Sequence, residues 1–457
     1  MNDKNKLGVY FTIFFTAILI SFFTIETKFA AKNIGVIIFF LVFLPALIQP
    51  SIGFVIIIFS SLFSPGLILG TTSIREITIR VEDVFLLMVL LAWLVRAAYS
   101  KDIYKIFRTR LTLPFFSYIA VCIFSTIFGL ITSSMDAGQS FFSILKYFEY
   151  FLLFLVAKEY LKTYSQAKFF VAVFLVTTLF ASIHSNIYIG EQIEKGVSFF
   201  RTAPPVESRG GGEAGTLGGY LLFIMAITIG LFFYARNQLF KIFLGGLILL
   251  MFRAFLYTLS RGSYLAFLPM LLVLAVLSRK INFIFIMGVS LVFIMLFMPT
   301  MVRDRITQTV TTKESLGGSY VEFEESPRFR LESWNMVLFE RFPRSPIFGH
   351  GVGRYFIDSQ LFLTLCETGL LGILTFGWVL IRLFGMVKEV LRTEVVQNDG
   401  FAKGITIGFL GGFSGLLVQA ISTNTFIIIR IMEPFWIMAA IVLSLPSLLA
   451  KKEEEPV

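Results

Sequence analysis

Long apolar runs alternate with short polar joints along almost the whole of this chain. Runs of about seventeen residues or more recur from end to end, the length that crosses a bilayer as a helix. They give about fourteen candidate spans, at residues 7–25, 33–49, 51–70, 82–98, 112–133, 141–160, 168–189, 214–235, 240–259, 262–278, 281–300, 357–383, 403–423 and 427–448. The alternation breaks once. Met301 to Phe356 is a polar block of about 56 residues with eight Lys/Arg and seven Asp/Glu. A loop of this length with helix signals of its own is functional or disordered rather than a plain connector. Ser326-Pro327 opens such a helix, a capping residue followed by proline at the first helical position. It is expected to run to about Phe342, before Pro343, with Phe329, Trp334, Val337 and Leu338 on its apolar face.

The pattern therefore predicts an all-α polytopic membrane protein of about 12–14 transmembrane helices. Residues 1–300 hold about eleven of them. Residues 301–356 form one large loop with a helix near 327–342, residues 357–448 hold about three more helices, and 449–457 are a short tail. Composition agrees: 56% of residues are hydrophobic and the mean hydropathy is +0.83. No separate soluble domain is visible, and nucleic acid is not an expected partner for so apolar a chain. The first run follows Lys4 and Lys6 but has no small-residue cleavage site after it, so it reads as a retained helix. Cys122 and Cys366 fall inside spans, which argues against a disulfide. His184 and His350 are the only histidines. No Cys/His cluster has metal spacing, so neither metal nor cofactor is expected.

The formal charge of +10 is mostly a topology signal. Lys101, Lys105, Arg108 and Arg110 mark one loop as cytoplasmic, and Lys158, Lys162 and Lys168 mark another. Arg236 and Lys241, then Arg279 and Lys280, then Arg382, Lys388, Arg392 and Lys403, then Lys451 and Lys452 continue the series. This predicts cytoplasmic termini and an extracytoplasmic 301–356 block. Long loops are exempt from the rule, so the block's basic residues do not conflict with it. The late insertion has no counterpart early in the chain, which argues against the internal symmetry of many transporters.

Arginines on the predicted outer face carry the candidate chemistry. Arg209 precedes Gly210, Gly211 and Gly212 at the head of a span, where backbone can approach an anion closely. Its bland alternative is a pair with Glu207 or Glu213. Arg253 lies inside a span and Arg261 at the membrane edge. An intramembrane arginine is costly and by default functional, unless it pairs with a buried carboxylate such as Glu149 or Glu433. Arg328 and Arg330 occupy the first turn of the block's helix, where the macrodipole disfavours cations. They serve an anion there, or pair with Glu324, Glu325 or Glu332. Guanidinium groups bind phosphate in bidentate fashion. Several of them at one membrane face point to a lipid-linked phosphate or pyrophosphate.

The segment from Arg328 to Gly372 resembles the signature region of the bacterial O-antigen polymerase and ligase superfamily. The matching positions are Arg330, Trp334, Pro346, Phe348, Gly349, Gly351, Gly353, a dyad at 358–359, Glu367, Gly369 and Gly372. Thr258-Leu259-Ser260-Arg261-Gly262, the loop around Arg209, Arg80-Val81-Glu82-Asp83 and Leu145 to Tyr150 also look like family segments. The resemblance implies a GT-C-like glycosyltransferase working at the outer face of the membrane without a metal. Donor and acceptor would be glycans on undecaprenyl pyrophosphate, the bilayer would be their medium, and a chain-length regulator protein a further partner. Ligases of the family carry His-Asn at the dyad, whereas this chain has Asp358-Ser359, which favours the polymerase branch. The implied site has Asp358 as base for the acceptor hydroxyl, with Glu367, Glu213 and Glu325 as alternatives and a helix cap as Asp358's bland reading. Arg209 and Arg261 would neutralise the leaving group, and Arg253, Arg328, Arg330, Trp334, Gly351 and Gly353 would contact pyrophosphate or glycan. The glycine turn 349–353 has a plainer reading as a return to the membrane. Rival readings are an O-antigen ligase or protein O-glycosyltransferase of the same superfamily and, in another class, a polysaccharide flippase or transporter.

Overall fold

A computed structural model describes residues 50–64, 66–71, 76–80, 83, 85–91, 93, 107–132, 135–206, 214–279, 300–307, 310–315, 318–323 and 325–454. The predicted spans 7–25 and 33–49 lie outside these residues, as does nearly all of 281–300.

Helix α1 (Pro50–Phe63) begins with proline at its first position, where a missing N–H costs nothing. It is 14 residues long and stops well before residue 70. The expected span 51–70 is therefore corrected: Gly66–Thr71 is a strand, β1, paired antiparallel with β2 (Glu76–Arg80) from Gly66↔Arg80 to Thr71↔Glu76. Ser64 closes the last turn of α1 on Ser60 and Pro65 follows in sequence, a residue that cannot continue the helical ladder. Of the predicted span 82–98, residues 83, 85–91 and 93 are helical.

Nine helices among the described residues are long and apolar enough to cross a membrane. They are α2 (Thr112–Thr132), α3 (Ala137–Tyr160), α4 (Tyr164–Glu194), α5 (Ala214–Tyr234), α6 (Gln238–Leu256), α7 (Arg261–Ser278), and three that follow the polar block. The block itself holds α8 (Thr300–Thr307), an antiparallel hairpin β3 (Val310–Ser315) and β4 (Gly318–Phe323), and α9 (Glu325–Met336). After it come α10 (Gln360–Arg392), the short α11 (Glu394–Asn398), α12 (Gly400–Gln419) and α13 (Ile429–Glu454). The architecture is all-α and polytopic, with two hairpins in its loops that the apolar pattern did not reveal. Polar side chains cap several helix starts: Asp136 for α3, Thr163 with Gln166 for α4, Asn237 for α6 and Asp399 for α12.

The centre of the bundle is the pair α5 and α12. In a bilayer, burial of apolar side chains gives little drive, and close backbone contact through small residues replaces it. Gly230 on α5 faces Gly404 and Gly408 on α12, and a Cβ on Gly408 would lie 2.5 Å from the Ile227 Cα. Phe223, Phe409, Phe413 and Phe435 then interlock around that contact at ring separations of 5.0–6.0 Å. The basic loop residues gather at one end of the bundle, where Tyr164 bonds Asp399 and Arg110 pairs with Glu389. The polar block and the heads of α7 and α10 lie at the opposite end.

Gly408→Leu should destabilise the protein by roughly 1–3 kcal/mol through overpacking. Gly246→Ala, with open space around its Cβ position, should be neutral or slightly stabilising. Thermal unfolding of the two purified variants beside the wild type checks this.

Candidate functional site

The glycines of the signature solve a backbone problem. Helix α10 is broken at Gly369, whose φ of 64° and ψ of −158° are non-helical. A break frees carbonyls before it and N–H groups after it, and in a membrane each must be satisfied by protein. The segment Pro346–Gly353 does this by lying against the break. His350 N–H donates to the Cys366 carbonyl at 3.0 Å and Gly351 N–H to the Glu367 carbonyl at 2.9 Å. In return, Leu370 N–H donates to Pro346 and Leu371 N–H to Ile347. Gly353 N–H is bound by the Glu367 carboxylate itself at 2.7 Å. Gly349, Gly351, Gly353 and Gly369 all have positive φ, the region that a side chain makes costly. A Cβ on Gly349 would also meet the Glu367 carbonyl oxygen at 2.5 Å. Gly351 and Gly353 are thus parts of a splint, and Glu367, buried at 5% exposure, is its side-chain anchor.

The dyad sits at the head of α10. Ser359, not Asp358, is the N-cap: its φ is −174° and its hydroxyl accepts from Phe362 N–H. The bland reading of Asp358 as a cap is therefore corrected, because the residue after it meets the helix's orphan donors. The Asp358 carboxylate stays 44% exposed, 3.8 Å from the Nε of Arg330. That pair is what α9 delivers. Arg330 and Trp334 lie one turn apart, and the Trp334 indole stacks on Phe362 at 4.8 Å. The Trp334 indole N–H and the Arg330 Nε are buried and make no hydrogen bond among the described residues. Arg328 follows the bland expectation, pairing with Glu332 at 2.8 Å on the exposed side.

The expected helix 327–342 is present but changes pitch. After Met336 comes a π-turn, Val337–Arg341, in which Phe342 N–H reaches back to Val337, and then a 3-10 turn, Phe342–Arg344. Pro343 lacks an N–H, so the α-ladder cannot pass through it. The wider turn brings the Arg341 carbonyl to the His350 Nε2 at 2.8 Å and the Arg341 guanidinium onto Tyr355, 3.9 Å from the ring centre. That bond makes Nε2 the protonated nitrogen of His350.

Arg261 is the first residue of α7 and half-buried. Leu259, two residues earlier, is buried with φ of 50°, a left-handed conformation that costs a leucine on the order of 1–3 kcal/mol. Such strain concentrates at functional sites, and here it sets the entry of the Ser260-Arg261 head. Gly262 is pressed against Ser422. The same loop bonds the start of α10, since Gln360 N–H donates to the Ala420 and Thr423 carbonyls. The heads of α7 and α10, which carry Arg261 and follow Asp358, are thus both packed on the loop 420–424. Arg253 is not with them. It hydrogen-bonds Asn186 of α4 at 2.9 Å, rather than Glu149 or Glu433. Arg209 and Glu213 lie outside the described residues, and Glu325 is described only as the first residue of α9.

One charged position, Arg430, was missed in the sequence, and Lys146 was singled out only as part of the segment Leu145 to Tyr150, without its partners. Arg430, 1% exposed near the head of α13, donates to the Val206 carbonyl at 2.9 Å and so holds the segment leading towards Arg209. Lys146 of α3 pairs with Asp83 and, at 3.2 Å, with Glu149. The signal was available, because charged residues inside apolar runs are costly enough to need a reason.

Gly349→Ala should cost at least about 1–2 kcal/mol from the left-handed backbone alone, beyond the collision with Glu367. Gly377→Ala, on the same helix pair with nothing near its Cβ position, should not destabilise. Unfolding midpoints of both variants decide whether the splint exists.

No curated protein sequence matches the chain. Residues 246–377 match a family model described as O-antigen ligase. That stretch runs from the second half of α6 through Arg253, Arg261, the polar block and the splint to beyond the break in α10. The part of the chain that builds this site is thus the part that is similar to the O-antigen ligase family.

Proposed function

We propose that the protein polymerises oligosaccharide repeat units carried on undecaprenyl pyrophosphate into O-antigen or a related surface polysaccharide. The reaction is a metal-independent glycosyl transfer at the outer face of the cytoplasmic membrane, the face given by the loop charges. The observation that carries the reading is Asp358, left uncapped and half-exposed at the head of α10 with Arg330 beside it. An acceptor sugar hydroxyl attacks the anomeric carbon of the donor. Its proton passes to the Asp358 carboxylate as the new C–O bond forms. The anomeric bond to pyrophosphate breaks, and its electron pair leaves on undecaprenyl pyrophosphate. Arg261, Arg330 and Arg209 take up that charge, the role fixed cationic donors perform best in a site that excludes water. A guanidinium has five N–H donors, so Arg330 can meet Asp358 and a phosphate together.

A ligase is the second reading, favoured by the description of the matching family. Against it stands the dyad: the position where ligases of the family carry histidine is Asp358, and His350 has its Nε2 engaged by a backbone carbonyl.

Purified protein given lipid-linked repeat units, with chelator and without nucleotide, should yield a ladder of longer lipid-linked chains. Arg261→Ala should slow the ladder by about a hundredfold, the usual effect of removing one charge-stabilising donor. Absence of longer chains sinks the polymerase reading, and an undiminished rate in Arg261→Ala sinks the leaving-group assignment.

A further inference from the structure

The polar block does not stay clear of the bilayer. A hydrocarbon core takes about twenty helical residues. Counted back from Arg382, the first basic residue of α10, that length reaches Leu363. Counted forward from Thr112, the start of α2 at the same basic end of the bundle, it reaches Ile131. These two residues mark the edge of the leaflet on the site side. Part of the block lies below that edge. Val337 shares a buried cluster with Leu363 and Cys366. The Pro346 and Ile347 carbonyls accept from the N–H groups of Leu370 and Leu371. The Phe348 ring lies 6.2 Å from Phe128 of α2. The π-turn and the 3-10 turn that follow α9 therefore run beside two spans at leaflet depth.

What this segment shows to the outside is apolar. Leu338, Phe339, Ile347 and Phe348 are exposed, Phe339 at 76% and Ile347 at 54%. Ile127, Phe128 and Ile131 of α2 and Leu370 and Leu374 of α10 are exposed as well, so the patch continues the outward sides of both spans. Its backbone, by contrast, is met from within. Phe342 N–H reaches Val337, Ser345 N–H reaches Phe342, and Gly349 N–H reaches Ser345. The Arg341 carbonyl accepts from His350, and the Gly349 carbonyl from the Ser345 hydroxyl. At membrane depth, irregular backbone is tolerated where its polar groups are satisfied in this way. The charges fit the same place. Arg341 turns inward onto Tyr355. Glu340 and Arg344 are exposed, and long charged side chains can lay their stems on apolar surface and reach the headgroups. A segment with one apolar and one charged side lies in the interface, its apolar side sunk about 5–10 Å into the leaflet.

We propose that residues 337–348 form a re-entrant foot of the polar block, whose Leu338, Phe339, Ile347 and Phe348 side chains are covered by the acyl chains of the site-side leaflet. Continuity with two lipid-facing spans selects lipid over a protein partner or a second copy of the chain. The foot sets the height of α9, and so holds Arg330 near the headgroups, where the phosphate of a lipid-linked donor lies. That use rests on the polymerase reading, whereas the lipid contact does not.

The test is spin-label accessibility on the full chain in phosphatidylcholine nanodiscs, which contain no polyprenyl lipid. The native Cys122 and Cys366 are buried. Labels at Phe339→Cys and Ile347→Cys are compared with Ile131→Cys on the outward side of α2 and with Lys195→Cys, exposed just past the end of α4. The ratio of collisions with oxygen to collisions with a water-soluble nickel chelate should match Ile131→Cys at both positions and exceed Lys195→Cys about tenfold. A ratio at the Lys195→Cys level at either position places the foot in water and overturns the inference. Few collisions with both reagents mean that protein covers it, which also overturns it. Phe339→Asp should draw the foot out, lowering the ratio at Ile347→Cys and raising KM for the lipid-linked unit. A lowered ratio with unchanged KM removes the height-setting role. Lipid contact in a protein that extends no chains leaves the foot standing and removes the polymerase reading. Chain extension by a protein whose foot meets water does the reverse.

Discussion

The rest of the site depends on the backbone pairing between the glycine turn and the break in α10. A membrane helix interrupted at Gly369 exposes peptide groups that water cannot reach, and each would cost several kcal/mol if left unmet. The turn Pro346–Gly353 meets them with four main-chain hydrogen bonds and one to a carboxylate. This requirement ties the last third of the polar block to a fixed depth on α10. It also fixes Glu367 from both sides, through its carbonyl and its side chain. The helix then resumes, while its first segment is free to present Asp358 and Ser359 at an angle the longer helix would not allow.

Around that fixed point the polar block contributes half of the candidate site. Its helix α9 is held by Trp334 on Phe362 and by the small apolar cluster of Val337, Ile357, Leu363 and Cys366. The other half comes from the bundle: the strained Leu259 sets the head of α7, and the loop 420–424 joins that head to α10. Charge is sorted by depth. Arg330 and Asp358 are partly solvated, while Lys146, Glu149, Arg430 and Glu433 are withdrawn into the bundle, where they position loops and walls. Burying so much charge adds little stability by itself. Its use is to place a few groups where solvent would otherwise let them wander.

Much of this was legible in the chain. Period and length located all nine described spans, because a bilayer leaves helices little choice. The arginines of α9 and the head of α7 were visible as charges in places that disfavour them. What stayed hidden was non-local. Nothing in Glu367-Thr368-Gly369 says that a helix breaks there, since the break is tolerable only because a turn twenty residues away fills it. Asp358 and Ser359 are equally good caps on paper, and only the backbone shows that Ser359 takes the role. The span drawn across 51–70 failed because apolarity alone does not separate helix from strand, and β1 is as apolar as the helix before it. Arg430 was passed over because it sits at a span edge, where arginines are common, although its side chain turns inward.

The central claim is that the head of α10, with Asp358 beside Arg330, is where the acceptor hydroxyl loses its proton. The most direct measurement is the single-turnover rate of chain extension by Asp358→Asn with lipid-linked repeat units at saturation. The account predicts a loss of at least about a hundredfold, the usual contribution of a positioned base, with substrate affinity and unfolding midpoint close to wild type. Extension at the wild-type rate would contradict it.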